Sequence, residues 1–154
     1  MSDSTRLAAD HLASMIVAAG GNPISGWGEG DALDIEPMGD SWTTTVGGDG
    51  DIVRSFTGQK TFNITLRLLS TSTSNDVLSA LHVADTSIAK AGGPGLPFSF
   101  FAKDINGTSL FAFTSAWITK LPKYTRANAQ KDREWTLCAT DGAIFIGGAL
   151  PIVG

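Results

Sequence analysis

The sequence is poor in the residues that carry chemistry. Its one cysteine, Cys138, rules out an internal disulfide, which fits assembly inside a cell. Its two histidines, His11 and His82, do not make a His-x-x-x-His spacing. Without that spacing or a Cys-x-x-Cys, a zinc site has no ligand set. There is no Gly-x-Ser-x-Gly elbow and no Walker loop. Gly26, Gly28 and Gly30 imitate a phosphate loop, but the third glycine is misplaced and no basic residue follows. Basic charge is scarce as well. Eleven Lys and Arg against 15 Asp and Glu leave a net charge of −4. Counterion release needs clustered cations, so general affinity for nucleic acid or an anionic membrane is not expected. No apolar run reaches the roughly 18 residues of a membrane span. The start, MSDSTRLAADHLASMIVAAGG, lacks a basic leader, and Asp10 and His11 break its apolar part, so it does not read as a signal peptide.

What remains is a chain of 154 residues, enough for one domain with a real core, with 42% apolar residues and only 17% charged ones. A weakly charged surface is commoner where it meets a partner. Eighteen glycines and many threonines and serines favour turn-rich β structure. Of the possible reactive groups, Asp34 and Glu36 share one face of a strand, where carboxylates two apart are ordinarily solvated rather than paired for catalysis. Asp49-Gly50-Asp51 lacks the remaining ligands of a calcium loop. Cys138 alternates with Leu137 and Ala139 and reads as a packed thiol, and His82 as a partly exposed helix residue. The expectation is no catalytic residue, no metal, no cofactor and no enzymatic activity.

Two periodicities organise the chain. Phe62, Ile64, Leu66 and Leu68 alternate with Thr61, Asn63, Thr65 and Arg67, the period of a strand with one apolar face, and Leu69 suggests burial on both faces at its end. After Ser70–Ser74 the period becomes helical, with Val77, Leu78, Leu81, Ala84, Asp85 and Ile88 in register and Thr73 or Ser74 as N-cap. Ala91-Gly92-Gly93-Pro94-Gly95 stops that helix. Around the pair lie extended segments. Residues 14–19 lead into a Gly20-Gly21-Asn22-Pro23 turn, and residues 31–38 form a strand that Pro37 ends. Residues 41–46 and 51–57 flank Gly47-Gly48-Asp49-Gly50 as a hairpin. Residues 96–103 and 109–120 flank an Asn106-Gly107 turn and carry Phe98, Phe100, Phe101, Phe111, Phe113 and Trp117, as the central hairpin of the core. Residues 121–132 form a polar, basic connection. Residues 133–140 are a strand with Trp135 and Leu137 on one face, followed by a separate short apolar segment at 143–146. This predicts a mainly β (α+β) domain: an antiparallel sandwich or barrel with one flanking helix and an extended β-hairpin. That hairpin has few apolar residues, and an isolated ribbon is barely stable, so it should lean on the domain body or on another copy of the chain.

Several segments together resemble the tail tube proteins of long-tailed phages. They are Asn22 to Trp27, Gly30-Asp31 and the strand to Glu36, the Val46–Asp51 turn with Arg54-Ser55, Thr65 to Leu81, Lys103 to Ile118, and Arg133 to Leu137. The resemblance spans about Ser14 to Gly148. It implies a single tail tube domain over 1–154, with an N-terminal arm at 1–13 and the extended hairpin at 38–60. It further implies a virion tail protein assembled in the host bacterial cytoplasm. Six copies would form a ring, and rings would stack helically into a hollow tube that conducts DNA at genome ejection. The partners implied are the chain itself, a sheath protein if the tail contracts, tape measure protein and DNA passing through the lumen, and baseplate and tail terminator proteins, with no membrane. The inter-subunit hairpin residues would be Trp42, Thr44, Val46, Asp49, Ile52, Arg54 and Phe56. The lumen-facing residues would be Asp34, Glu36, Thr61, Asn63, Thr65 and Arg67, although Arg67 would put a positive charge inside. Two other readings are a tube of a phage-derived contractile injection particle and, in a different class, a monomeric β-barrel that binds a ligand in its mouth.

Overall fold

The computed structural model describes residues 15–28, 32–105, 107–126 and 131–148. The arm at 1–13, Asp31 and Asn106 of the expected turn lie outside the described residues. In chain order the elements are β1 (Met15–Ala19), β2 (Asn22–Pro23), β3 (Leu33–Pro37), β4 (Trp42–Val46), β5 (Ile52–Phe56), β6 (Phe62–Leu69), α1 (Ser74–Lys90), β7 (Phe98–Asp104), β8 (Leu110–Lys120) and β9 (Asp132–Phe145). Seven strands form one antiparallel sheet in the order β2-β1-β7-β8-β9-β6-β3, and β4 and β5 pair only with each other.

The alternation in β6 places Ile64, Leu66 and Leu68 in the core with no exposed surface. Their cross-strand neighbours continue the same face: Leu33 and Ile35 on β3, Trp135, Leu137 and Ala139 on β9, Ala116 and Ile118 on β8, Phe98 and Phe100 on β7, Val17 and Ala19 on β1. Seven strands spaced at about 4.8 Å make a face about 30 Å wide, whereas one helix with its side chains covers only about 10 Å. The rest of that face is dry because the sheet curls over it. Two bulges permit the bend, at Phe98/Phe100 in the β7–β8 pair and at Ile118/Lys120 in the β8–β9 pair. Small residues leave room inside: Phe62 and Phe113, on strands either side of β9, bring their rings to 5.4 Å across Ala139 and Gly142.

Helix α1 seats Leu78, fully buried, and Leu81 on this core. Its N-cap is Thr73, but the side chain makes no capping bond. Neighbours organise the entry instead. The Ser72 hydroxyl accepts from Ser74 N and donates to Ser25 O, and the Asn75 amide donates to Leu69 O and Ser72 O. Trp135 Nε1 donates to Asn75 Oδ1 at 2.9 Å, which ties the helix start to β9. At the far end Gly92 adopts φ +90°, with Gly93 N bonded to Ile88 O and Gly92 N to Ala89 O, the paired bonds of a Schellman stop.

Four expectations need correction. Asn22–Pro23 is a short strand paired with β1, and the turn is confined to Gly20 and Gly21, both at positive φ. Leu69 is only half-buried, so β6 keeps one wet face to its end. The segment at 143–146 is not separate: β9 runs unbroken for 14 residues, because Asp141 takes φ +57° and a Cβ at Gly142 would sit 2.5 Å from Ala112 O. A left-handed residue followed by a glycine lets the strand turn without leaving the ladder. Lastly, the alternation in residues 31–38 sets Ala32 on the side of Asp34 and Glu36, yet Ala32 is buried while those two are exposed.

Candidate assembly surfaces

The β4–β5 hairpin projects from the sheet between residues 38 and 61. Its register sets Trp42 opposite Phe56, Thr44 opposite Arg54 and Val46 opposite Ile52. Side chains two apart share a face, so these six form one surface and Thr43, Thr45, Val53 and Ser55 the other. The first surface is apolar apart from its centre. The Trp42 and Phe56 rings lie 5.2 Å apart, and the Arg54 guanidinium stacks 4.2 Å over Trp42. It is also wet: Trp42 is 46% exposed, Val46 and Phe56 65%, Ile52 72%. Of the two supports expected, the domain body or another copy, the domain body does not cover this surface with any of the described residues. Burying each such side chain is worth roughly 1.5–3 kcal/mol, which one chain alone leaves unrealised.

The tip is a tight acidic loop. Gly47 N donates to Asp51 O, Gly50 N to Gly47 O, and Asp51 N to Asp49 Oδ1, with Gly50 at φ +90°. The neck is tied down at Thr57, whose N–H donates to Ser41 O and whose hydroxyl donates to the Asp40 and Ser41 carbonyls. Met38 N donates to Thr61 O, and Met38 Sδ lies 3.8 Å from Cys138 Sγ on the outward face of β9.

The second surface is the outward face of β3, β6 and β9. Asp34 pairs with Thr65, which pairs with Thr136; Glu36 pairs with Asn63, which pairs with Cys138. Asp34 and Glu36 are exposed, and Thr61, Asn63, Thr65 and Arg67 are half-buried. The charge of Arg67 is answered by Glu134 directly opposite it, at 2.7 Å. The hydrogen bond to Glu134 raises the Arg67 pKa above its already high ordinary value, slight burial opposes it, and the charges of Glu134, Asp132 and Asp34 add to it. Only the β6–β9 register reveals Glu134 as a member of this face; its own segment shows merely a polar position in an alternating strand. The result is an acidic, hydroxyl-rich surface.

The basic connection forms a third feature. Beside the start of α1 lies a depression of about 230 Å³ lined by Leu121, Pro122, Tyr124 and Trp135. A second, of about 410 Å³, adjoins it through Tyr124 and Arg133 and adds Thr125, Arg126 and Lys131. Arg133 stacks 4.7 Å over the Tyr124 ring and donates to Thr125 O. Arg126 Nη1 donates to the Tyr124 hydroxyl at 3.4 Å, and this bond, with the guanidinium charges, lowers the phenol pKa.

The chemical candidates stay apart. Burial raises the Cys138 thiol above its ordinary pKa and removes thiolate at neutral pH. His82 is half-buried on α1, with Nδ1 shielded from solvent and without a hydrogen-bond partner among the described residues. Among the described residues no three His, Cys, Asp or Glu side chains gather as a metal site, and no helix is long and apolar enough to cross a membrane.

Comparison with known proteins agrees with this geometry. The sequence pattern of the Bacteriophage PhiTE tail tube protein family matches residues 7–147. The chain is 31% identical over 139 residues to "Structural protein ORF10" of Pseudomonas phage KPP10, covering 90% of this chain and 76% of that one. Solved structures share the fold, three of them as follows. One is a chain of the PVC sheath-tube complex of an extracellular contractile injection system (TM-score 0.53, 18% identity, 97% of this chain and 100% of that one). Another is from the PVC sheath/tube terminator (TM-score 0.53, 18% identity, 88% and 96%). The third is the tube-terminating cap of the anti-feeding prophage (TM-score 0.54, 14% identity, 88% and 89%). The chain belongs to the phage tail tube protein family.

Proposed function

We propose that the chain is the protomer of a virion tail tube, that six copies close into a ring, and that rings stack into a hollow tube through which DNA passes at genome ejection. The observation that supports self-assembly most directly is the hairpin. A row of Trp42, Val46, Ile52 and Phe56 held in water on an extension is a surface made to be covered. An equivalent surface on every copy, meeting a different surface on the next, gives head-to-tail contacts, which generate rings and filaments. The acidic face of Asp34, Glu36, Thr61, Asn63, Thr65 and Arg67 is the proposed lumen lining. With Arg67 neutralised by Glu134, such a wall repels phosphate and lets DNA slide.

In this role the partners are further copies of the chain, a sheath if the tail contracts, tape measure protein and DNA within the lumen, and baseplate and terminator proteins at the tube ends. Assembly takes place in the host bacterial cytoplasm and the product resides in the virion tail. Negative-stain microscopy of the purified chain tests the reading. Rings or tubes are the expected result; discrete monomers at high concentration would overturn it.

A further inference from the structure

The hairpin tip and the basic groove are complementary in two respects. The tip presents Asp49 and Asp51, with apolar Val46 and Ile52 immediately behind them. The groove presents Arg126 and Lys131 in one half and Leu121 with the flank of Trp135 in the other, with Tyr124 between. This chain is acidic overall, yet five of its 11 Lys and Arg (Lys120, Lys123, Arg126, Lys131 and Arg133) fall between residues 120 and 133, and three of them line the larger depression. Leu121 and Tyr124 there are 51% and 70% exposed, as uncovered as the hairpin they would meet.

Their positions in the fold are complementary too. The hairpin neck leaves the sheet beside Phe62, where Pro37 pairs with that residue and Ala139 lies on its other side. The groove sits at the other end of the same strands, past Leu69 and Asp132. Eight residues of β6 separate the two ends by about 25 Å. A projection at one end of a strand pair and a receptor at the other is head-to-tail geometry, which propagates along an axis instead of closing as a two-fold dimer.

We propose that the tip of the β4–β5 hairpin of one copy docks in the Leu121–Tyr124–Arg126–Lys131 groove of a second copy, carboxylates against cations and Val46 and Ile52 against Leu121. The inference rests on the proposed tube assembly and assigns the receptor for its hairpin.

Two experiments test it. In a Cys138→Ser background, a copy carrying Asp49→Cys is mixed with one carrying Thr125→Cys under mild oxidation. The expected product is a disulfide-linked pair that needs both variants. No pair beyond what either variant gives alone overturns the docking. Tubes without that cross-link leave the tube reading standing and remove this contact; the cross-link without tubes does the reverse. Charge reversal supplies a second readout by sedimentation. Asp49→Lys with Asp51→Lys, or Arg126→Glu with Lys131→Glu, should each raise the concentration needed for assembly about tenfold or more, and all four together should restore it. Circular dichroism confirms that each variant is folded. Folded double variants that assemble like the native chain overturn the proposal, as does a folded quadruple variant that shows no recovery.

Discussion

At the scale of the residue, environment decides what each polar group can do. Cys138 and Met38 bring two sulfurs to 3.8 Å on the outward face, yet burial holds the thiol protonated, so the contact is packing and not redox chemistry. Arg67, which looked like a misplaced cation, is one half of a pair whose other half stands opposite on β9. Tyr124 is the only tyrosine in the chain, which makes its titration directly visible. Arg126 lowers its pKa, so the folded chain releases the phenol proton at lower pH than the unfolded chain does. The stabilisation that follows is present above the ordinary tyrosine range and lost as pH falls through the lowered value. Absorbance at the phenolate band should therefore rise earlier in the native chain than in denaturant, and Arg126→Ala should move the midpoint back up. An unchanged midpoint in that variant would show that the guanidinium does not govern the phenol.

At the scale of the element, the strand-to-helix joint was legible because its signals are periodic: two for β6 and 3.6 for α1. The glycine stop at Gly92-Gly93 was legible for a different reason, since few residues accept φ +90°. Pairing between distant segments was not legible. Nothing local in REWTLCAT says that Glu134 will face Arg67, and a single left-handed residue at Asp141 fused two apparent strands into β9. The hairpin was legible as a hairpin, and its members Trp42, Thr44, Val46, Ile52, Arg54 and Phe56 do share one face. In the proposed assembly another copy covers that face, and local sequence signals do not report such a contact. Deleting Thr43–Phe56 should leave a cooperatively melting domain, because β4 and β5 give no strand to the sheet and no residue to the core. The same deletion should abolish polymerisation. Tubes of native appearance from the shortened chain would remove the hairpin from assembly.

At the scale of the whole molecule, the outside of the curled sheet carries the distribution of charge that the proposed conduit needs. Four carboxylates, of Asp34, Glu36, Asp132 and Glu134, lie on the outward face of β3, β6 and β9, with Arg67 among them and Lys120 at the margin. Asp34 and Glu36 are exposed edge-strand residues with no role in the core, so replacing both by Lys should leave folding and tube formation intact. In an intact phage the same change should slow triggered DNA release, by about tenfold or more at low salt and less as salt rises. Release at the native rate at every salt concentration would mean that this face does not see the DNA.

The wet row on the β4–β5 hairpin has a kinetic consequence. If copies of the chain cover one another as proposed, a chain complete in its core but with apolar surface uncovered on an arm behaves, above a threshold concentration, as a supersaturated solute. Under the proposed assembly it forms its first rings slowly, and only at high concentration, and adds rapidly once a growing end is present. Seeding, and not folding, then sets the moment at which polymer appears. A seed that presents the matching groove would hold the timing of growth, while the chain itself supplies only the drive.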